Sequence, residues 1–249
     1  MSLLDQIKIV LVETSHPGNI GSAARAMKTM GLSQLYLVSP KVLPNEESIA
    51  LSAGADDVVK QAHIVSSFEE AIADCSLVIG TSARARHLTT TAVTPRDCGE
   101  LAIVRSAHGK VAIVFGRERI GLTNEELLKC HYHLNIPANP EYSSLNLAMA
   151  VQLVSYEVRM AYLQKQQGYQ LHHSQVAEIP AKGVVAEELE YFFNKTEQVY
   201  QQLGFIQNSA VMKKLRRLYL RTAIQRNELN ILQGMLTAVE KVITENHRK

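Results

Sequence analysis

Residues 136–158 read IPANPEYSSLNLAMAVQLVSYEV, and the fold turns on this stretch. A short strand ends at Ile136, and a loop with Pro137 and Pro140 follows. Ser143 and Ser144 then stand where a helix N-cap is needed, since a hydroxyl can accept from an unpaired amide of the first turn. From Leu145 to Val154 only Asn146 and Gln152 are polar. A helix apolar nearly all round must be buried on more than one side, in a core or between a core and a second subunit. Its N-terminus brings free N–H groups and a positive dipole end to the loop, a fitting place for a ligand.

Working outward, compact β-branched runs alternate with helical ones. Strands are expected at Ile7–Val12, Leu35–Val38, Ala62–Val65, Leu77–Thr81, Val111–Phe115 and His133–Ile136. Between them, helices are expected at Asn19–Met30, Glu46–Ala53, Phe68–Ala73 and Cys98–Ala107, with another begun by the Thr123/Glu126 capping box. This alternation predicts an α/β domain with a mostly parallel sheet covered on both faces. Ligands bind such sheets at the carboxyl ends of strands, which singles out the loops after Val12, Thr81, Phe115 and Ile136. Past Gln164 the character changes. Residues 1–164 form the predicted α/β domain, 165–185 a polar linker, and 186–249 a small all-helical C-terminal extension. The extension reads as helices over Ala186–Leu203, Val211–Arg221 and Leu229–Thr244.

With 46% hydrophobic and 20% charged residues among 249, the chain has the composition of an ordinary globular protein, and its net charge of +2 implies no partner by itself. Cys75, Cys98 and Cys130 form no CxxC pair, which favours a reduced, cytoplasmic setting. Alternation along a strand puts Cys130 and His131 on opposite faces, so no metal is expected. No apolar run reaches the length of a membrane span.

Four stretches can carry chemistry. Gly18 and Gly21, with Asn19 and Arg25, would let a ligand approach backbone after the first strand; the plainer reading is a strand–turn–helix corner. Thr81, Ser82 and Ala83 leave room for a planar ligand, and Arg84 and Arg86 can meet phosphate; the plainer reading is a polar loop. In residues 115–123, FGRERIGLT, Gly116 offers bare backbone after a buried strand, and the flanking arginines would hold Glu118 ionised. In the tail, Lys213, Lys214, Arg217 and Arg221 share one helical arc opposite Met212, Leu215, Leu218 and Tyr219. No acid lies between Val211 and Arg226, which favours nucleic acid over a merely solvated face. His16 sits in the first of these loops and can approach a substrate.

Together these stretches resemble the SPOUT (SpoU–TrmD) superfamily of RNA methyltransferases. Three ordered motifs carry the likeness: N-x-G-x-x-x-R at Asn19–Arg25, the VFGRE-G-L segment at Val114–Leu122, and the SLN-containing segment at Ile136–Asn146. The finer match is similar to the TrmJ branch, through ETSHPGNIGSAARAMKTMGL, FGRERIGLTNEEL and NPEYSSLNLAMA, with KLRRLYLR and ELNILQG in the tail. The resemblance implies a deep trefoil knot at the C-terminal end of the α/β domain, a homodimer, and S-adenosyl-L-methionine as cofactor. It further implies 2′-O-methylation of nucleotide 32, cytidine or uridine, in the tRNA anticodon loop. Cofactor contacts would fall on Thr81, Ser82, Ala83, Gly116, Ile136, Ser143, Ser144 and Leu145. Arg25 matches the arginine considered catalytic, with Asn19, Glu118, Ser144 and Asn146 beside it. Arg84, Arg86, Lys213, Lys214, Arg217 and Arg221 would meet RNA.

Other readings weigh less. Methylation of another tRNA or rRNA site keeps the same motifs. A dinucleotide-dependent oxidoreductase needs a GxGxxG after the first strand, and residues 18–25 lack it. A non-catalytic RNA-binding protein keeps the basic helix but has no use for Gly116 and the serine pair.

Overall fold

Six consecutive buried residues make Ile7–Val12 a central strand, β1. Even its one polar member, Lys8, is 3% exposed, its ammonium reaching Asp74 and the Ala71 carbonyl just before the amino end of β4. The computed structural model describes residues 2–82, 92–168, 184–222 and 224–246. After β1 come α1 (Pro17–Thr29), β2 (Gln34–Val38), α2 (Glu46–Ser52), α3 (Asp56–Lys60), β3 (His63–Val65), α4 (Phe68–Ile72) and β4 (Cys75–Thr81). There follow β5 (Ala92–Val93), α5 (Pro95–Arg105), β6 (Lys110–Phe115), α6 (Asn124–Leu127), β7 (Tyr132–Leu134) and α7 (Leu147–Gln166). The tail holds α8 (Ala186–Gln202), α9 (Ser209–Thr222) and α10 (Arg226–Asn246).

The strands form one seven-stranded sheet in the order β3-β2-β1-β6-β4-β7-β5, and every strand pairing is parallel. Successive side chains of a strand point to opposite faces, so Ile7, Ile9 and Leu11 pack with α1, α5 and α7, while Val10 and Val12 pack with α4 and α6. Cys98 belongs to the first of these layers and Cys75 and Cys130 to the second; all three thiols are free and buried. From β1 the chain steps outward to β2 and β3, whereas β6 leads to the other half of the sheet. The two halves part at the carboxyl ends of β1 and β6, where open α/β sheets leave a crevice.

The expected α/β sheet and helical tail are both present, with local differences. α3 and β5 escaped the sequence pattern because five and two residues are too few to show a period. The helix of the opening stretch begins at Leu147, and its cap is Asn146, not the serine pair: Asn146 Oδ1 accepts from the amides of Ala148 (2.9 Å) and Met149 (3.4 Å). α7 is also less enclosed than its composition suggested. Val151, Val154 and Val158 are fully buried, but Met149, Leu153 and Tyr156 are 62%, 43% and 48% exposed. In the tail, Leu189, Phe192, Phe193, Met212, Leu220, Leu229 and Leu236 make a third core. Leu218, expected on the inner side of α9, is exposed. Among the described residues no helix is long and apolar enough to cross a membrane.

Candidate active site

A cavity of about 400 Å³ opens at the carboxyl ends of β4, β6 and β7, in the size range of small-molecule pockets. Phe115, Leu134, Leu147 and Ala150 contribute its apolar lining. Thr81, Ser82, Gly116, Ile136, Ser143, Ser144 and Leu145 also line it, so seven of the eight residues expected to contact a cofactor surround one space. The eighth, Ala83, lies outside the described residues, as do Arg84 and Arg86.

Gly116 is required by the shape of this loop. A Cβ there would stand 2.1 Å from the Gly121 carbonyl carbon and 2.2 Å from the Leu122 nitrogen. The segment folds back on itself, with Arg117 and Gly121 paired as an antiparallel bridge and Gly121 at φ +69°. Bare backbone at Gly116 thus meets the loop's own return. Gly18 and Gly21 likewise serve packing rather than a ligand. A Cβ at Gly21 would lie 2.1 Å from the Ser48 carbonyl oxygen, so its absence lets α1 and α2 touch backbone to backbone; at Gly18 it would meet the Leu51 side chain.

Two neighbouring side chains pin the loop in opposite directions. Arg117 donates both terminal nitrogens to the Glu126 carboxylate, each at 3.0 Å, and also to Glu13. Glu13 takes a left-handed φ of 47° at the end of β1. The Arg117 guanidinium, helped by Lys41, holds the Glu13 carboxyl down at about 2. Glu118 turns the other way and accepts from Thr14 Oγ1 (2.8 Å), Asn19 Nδ2 (3.0 Å), and the Ser15 amide and hydroxyl (3.2 Å each). Burial alone would raise the Glu118 carboxyl, yet the bonds donated by Asn19 and Thr14 outweigh it and hold the group at about 2. Glu118 is therefore ionised as expected, but for a different reason: Arg117 is engaged elsewhere, and neutral donors do the stabilising.

The network continues through Asn19, whose Oδ1 accepts from Asn146 Nδ2 at 3.1 Å. Glu118, Asn19 and Asn146 thus join the loop after β6, the first turn of α1 and the cap of α7 in one polar chain. Three of the five expected catalytic residues meet here, and Ser144 lies in the cavity wall. Arg25 does not join them. It is exposed, lines no part of the cavity, and makes no hydrogen bond or ion pair among the described residues. His16 is exposed at the N-cap of α1 and forms no side-chain cap. Thr14, Ser15 and Glu13 were not foreseen, and Glu126 was foreseen only as the capping partner of Thr123, which it is. The run Glu13-Thr14-Ser15 reads as a polar turn, and nothing local identifies a carboxylate more than a hundred positions away as its partner.

The remaining expected residues lie elsewhere. Lys213, Lys214 and Arg221 are exposed and Arg217 half-buried on α9. At the amino ends of β4 and β7, Cys130 Sγ rests on the Glu126 carbonyl, and the His131 ring accepts from the Val78 amide; burial, then the Arg105 charge, lowers that imidazole to about 4. Among the described residues no cluster of three histidine, cysteine or acidic side chains could hold a metal.

Residues 6–156 match the model of the SpoU rRNA Methylase family, and residues 187–248 match that of the tRNA methyltransferase TrmJ, C-terminal domain. An "Uncharacterized tRNA/rRNA methyltransferase" of Haemophilus influenzae is 64% identical, over 97% of each chain. The "tRNA (cytidine/uridine-2'-O-)-methyltransferase TrmJ" of Photorhabdus laumondii is 57% identical, over 96% of this chain and 98% of its own. Of solved structures, TrmJ from Z. mobilis superposes with a TM-score of 0.79 at 32% identity, covering 94% of this chain and 98% of the other. A probable methylase family protein from H. influenzae gives 0.63 at 64% identity, covering 98% and 99%.

Proposed function

The chain belongs to the SpoU methylase family, and from that membership we propose that it transfers a methyl group from S-adenosyl-L-methionine to a tRNA ribose. The acceptor is the 2′-hydroxyl of cytidine or uridine 32 in the anticodon loop, and the enzyme works in the cytoplasm. The observation that carries the reading is the placing of the cavity. Its polar wall of Thr81, Ser82, Ser143 and Ser144 adjoins the ionised Glu118, which ties Asn19 and Asn146 to the same mouth. The P. laumondii relative carries the cytidine/uridine 2′-O- name over nearly its whole length, which supports the acceptor. Threading of residues 136–158 through a deep trefoil knot is part of the proposal.

The lining fits the cofactor: apolar side chains for a purine, hydroxyls and exposed backbone for its ribose and amino-acid ends. When bound, the cofactor supplies an electrophilic methyl on a sulfonium. The residues must then hold a ribose hydroxyl in line with that methyl, and positioning of this kind can account for much of the acceleration. Transfer to the hydroxyl would also release its proton, which would pass to water at the cavity mouth. Glu118 is a poor acceptor because its lone pairs are already engaged by four donor groups; its part is to orient Asn19. Arg25 cannot accept a proton either, since guanidinium stays charged. It stabilises the developing alkoxide by its charge.

Arg25 lies away from its own protomer's cavity, so in this reading it serves the cavity of a second copy. The stripe Met149, Leu153 and Tyr156, at i, i+4 and i+7 on α7, supports a homodimer through that helix. Two measurements test the proposal. Calorimetry should detect S-adenosyl-L-methionine binding, and a ribose-methylation map of tRNA from a deletion strain should lose the mark at nucleotide 32. A strain that keeps the mark would overturn the assigned position, and absent cofactor binding would overturn the reaction. Arg25→Ala should lower turnover by about 10²–10³-fold, the usual cost of losing one such charge contact, while cofactor affinity stays near wild type.

A further inference from the structure

Among the described residues two cations line the cavity, Arg117 and Arg119, both in the loop after β6. Arg117 serves the fold. It sits between the Glu13 and Glu126 carboxylates, and Lys41 reaches Glu13 as well, so these two cations and two carboxylates cancel. Arg119 is exposed and makes no hydrogen bond or ion pair among the described residues. Glu118 is not its counter-ion, because the oxygens of that carboxylate are taken by Thr14, Ser15 and Asn19.

The main chain under Arg119 is fixed. The Gly121 amide donates to the Arg117 carbonyl at 2.8 Å, and the Arg117 amide donates to the Gly121 carbonyl at 3.3 Å, which leaves Glu118, Arg119 and Ile120 as the tip of a closed turn. That tip stands at the outer end of the cavity. Phe115 and Leu134, on the inner wall, are 1% and 0% exposed, whereas Ile120 beside Arg119 is 64% exposed. With a cofactor against the inner wall, an acceptor ribose must arrive over this rim. It does not arrive alone: a nucleotide that offers a 2′-hydroxyl carries one phosphodiester on the neighbouring 3′ oxygen and another on its 5′ oxygen. Glu118, ionised and also lining the cavity, repels both, and Arg119 is the cation of this loop left to offset it.

We propose that Arg119 binds a phosphodiester joined to the acceptor ribose and so positions the 2′-hydroxyl in the cavity of its own protomer. The inference rests on the tRNA reading above. A guanidinium suits the task, because its planar fork can pair with two phosphate oxygens at once and fixes orientation as well as distance. In the same reading Arg25 reaches the reacting oxygen from the second copy, so the acceptor nucleotide is held by one arginine from each protomer.

The test uses the full chain and tRNA assembled by ligation. Nucleotide 32 and its two neighbours are in deoxy form, so that a neutral methylphosphonate can replace either phosphodiester flanking nucleotide 32. Arg119→Gln should weaken binding of the tRNA with both phosphodiesters intact about tenfold. Its plot of log affinity against log salt should be shallower by about 0.7, the single-strand value for one phosphate, and Arg119→Lys should keep the wild-type slope. One of the two methylphosphonate tRNAs should bind wild type about tenfold more weakly, yet bind Arg119→Gln no more weakly than the intact tRNA does, the non-additivity of a shared contact. Losses that multiply at both positions would place Arg119 on another group and overturn the proposal. A fall in calorimetric affinity for S-adenosyl-L-methionine in Arg119→Gln would assign the guanidinium to the cofactor's carboxylate, and a shift to monomer in sedimentation would make it a dimer contact; either overturns it as well. If wild-type protein methylates no tRNA, the functional reading fails instead, while the coupling, a binding measurement, still decides the contact.

Discussion

A methyl group at Gly116 would press on backbone, which cannot swing aside as a side chain does. Gly116→Ala should therefore cost about 1–3 kcal/mol, the usual range for overpacking, and weaken cofactor binding further by displacing the loop that lines the cavity. Thermal unfolding and calorimetry check the two effects; an unchanged midpoint would show that the loop relaxes freely. Glu118→Gln leaves at least one of the donors around the carboxylate without an acceptor, at about 1–3 kcal/mol. Both positions stood out in the sequence, but for incomplete reasons. The glycine after a buried strand was legible, whereas its contact with Gly121 and Leu122 depends on a loop that folds back. The charge state of Glu118 was legible too. Its cause was not, because the adjacent arginine is drawn off by Glu13 and Glu126 and the stabilising donors come from a distant turn.

The lesson at the scale of the element is clearest at α7. Ser143, Ser144 and Asn146 are all competent caps, and local rules cannot choose between them. The choice is made by Asn19, 127 residues away in sequence, whose oxygen accepts from the Asn146 amide while Asn146 Oδ1 caps the helix. Asn146→Ala should accordingly cost about 0.5–2 kcal/mol through the lost cap and also lower kcat by releasing Asn19. Asn146→Ser can cap but has no amide to donate, so it should recover stability and not turnover. Full recovery of turnover in the serine variant would dissolve the proposed link. The central strands β1, β4 and β6 were legible because nearly continuous apolar runs of five or six residues have few other uses in a chain of this composition. β5 was not, since two residues paired to β7 have no pattern of their own.

For the whole molecule, acid is the informative stress. The Glu13 and Glu118 carboxyls both lie at about 2 in the fold, against 4.5 when free. Folded values below unfolded ones mean that their stabilising contribution is complete above about pH 4.5 and is lost as pH falls through 2. The urea midpoint should drop across that window in wild type and more shallowly in Glu118→Gln; identical slopes would show that the carboxylate is not linked to folding. The exposed stripe on α7 makes a prediction of another kind. Leu153→Asp puts a charge in the proposed dimer contact, so sedimentation should give a monomer and methylation should fall with it. A monomer of full activity would separate Arg25 from any second copy.

The three cysteines turn the molecule into its own stopwatch. Burial pushes the Cys75 thiol up to about 12 and raises Cys98 and Cys130 as well, so at neutral pH the folded chain presents almost no thiolate to a reagent. Labelling must wait for the fold to open. Cys98, on α5, is sealed between its own helix, α7 and one side of the sheet, and Cys75 and Cys130 lie under α4 and α6 on the other. Mass spectrometry of labelled peptides would therefore time the opening of each face separately, with no engineered probe. It would also report whether cofactor or RNA slows one face alone or both together.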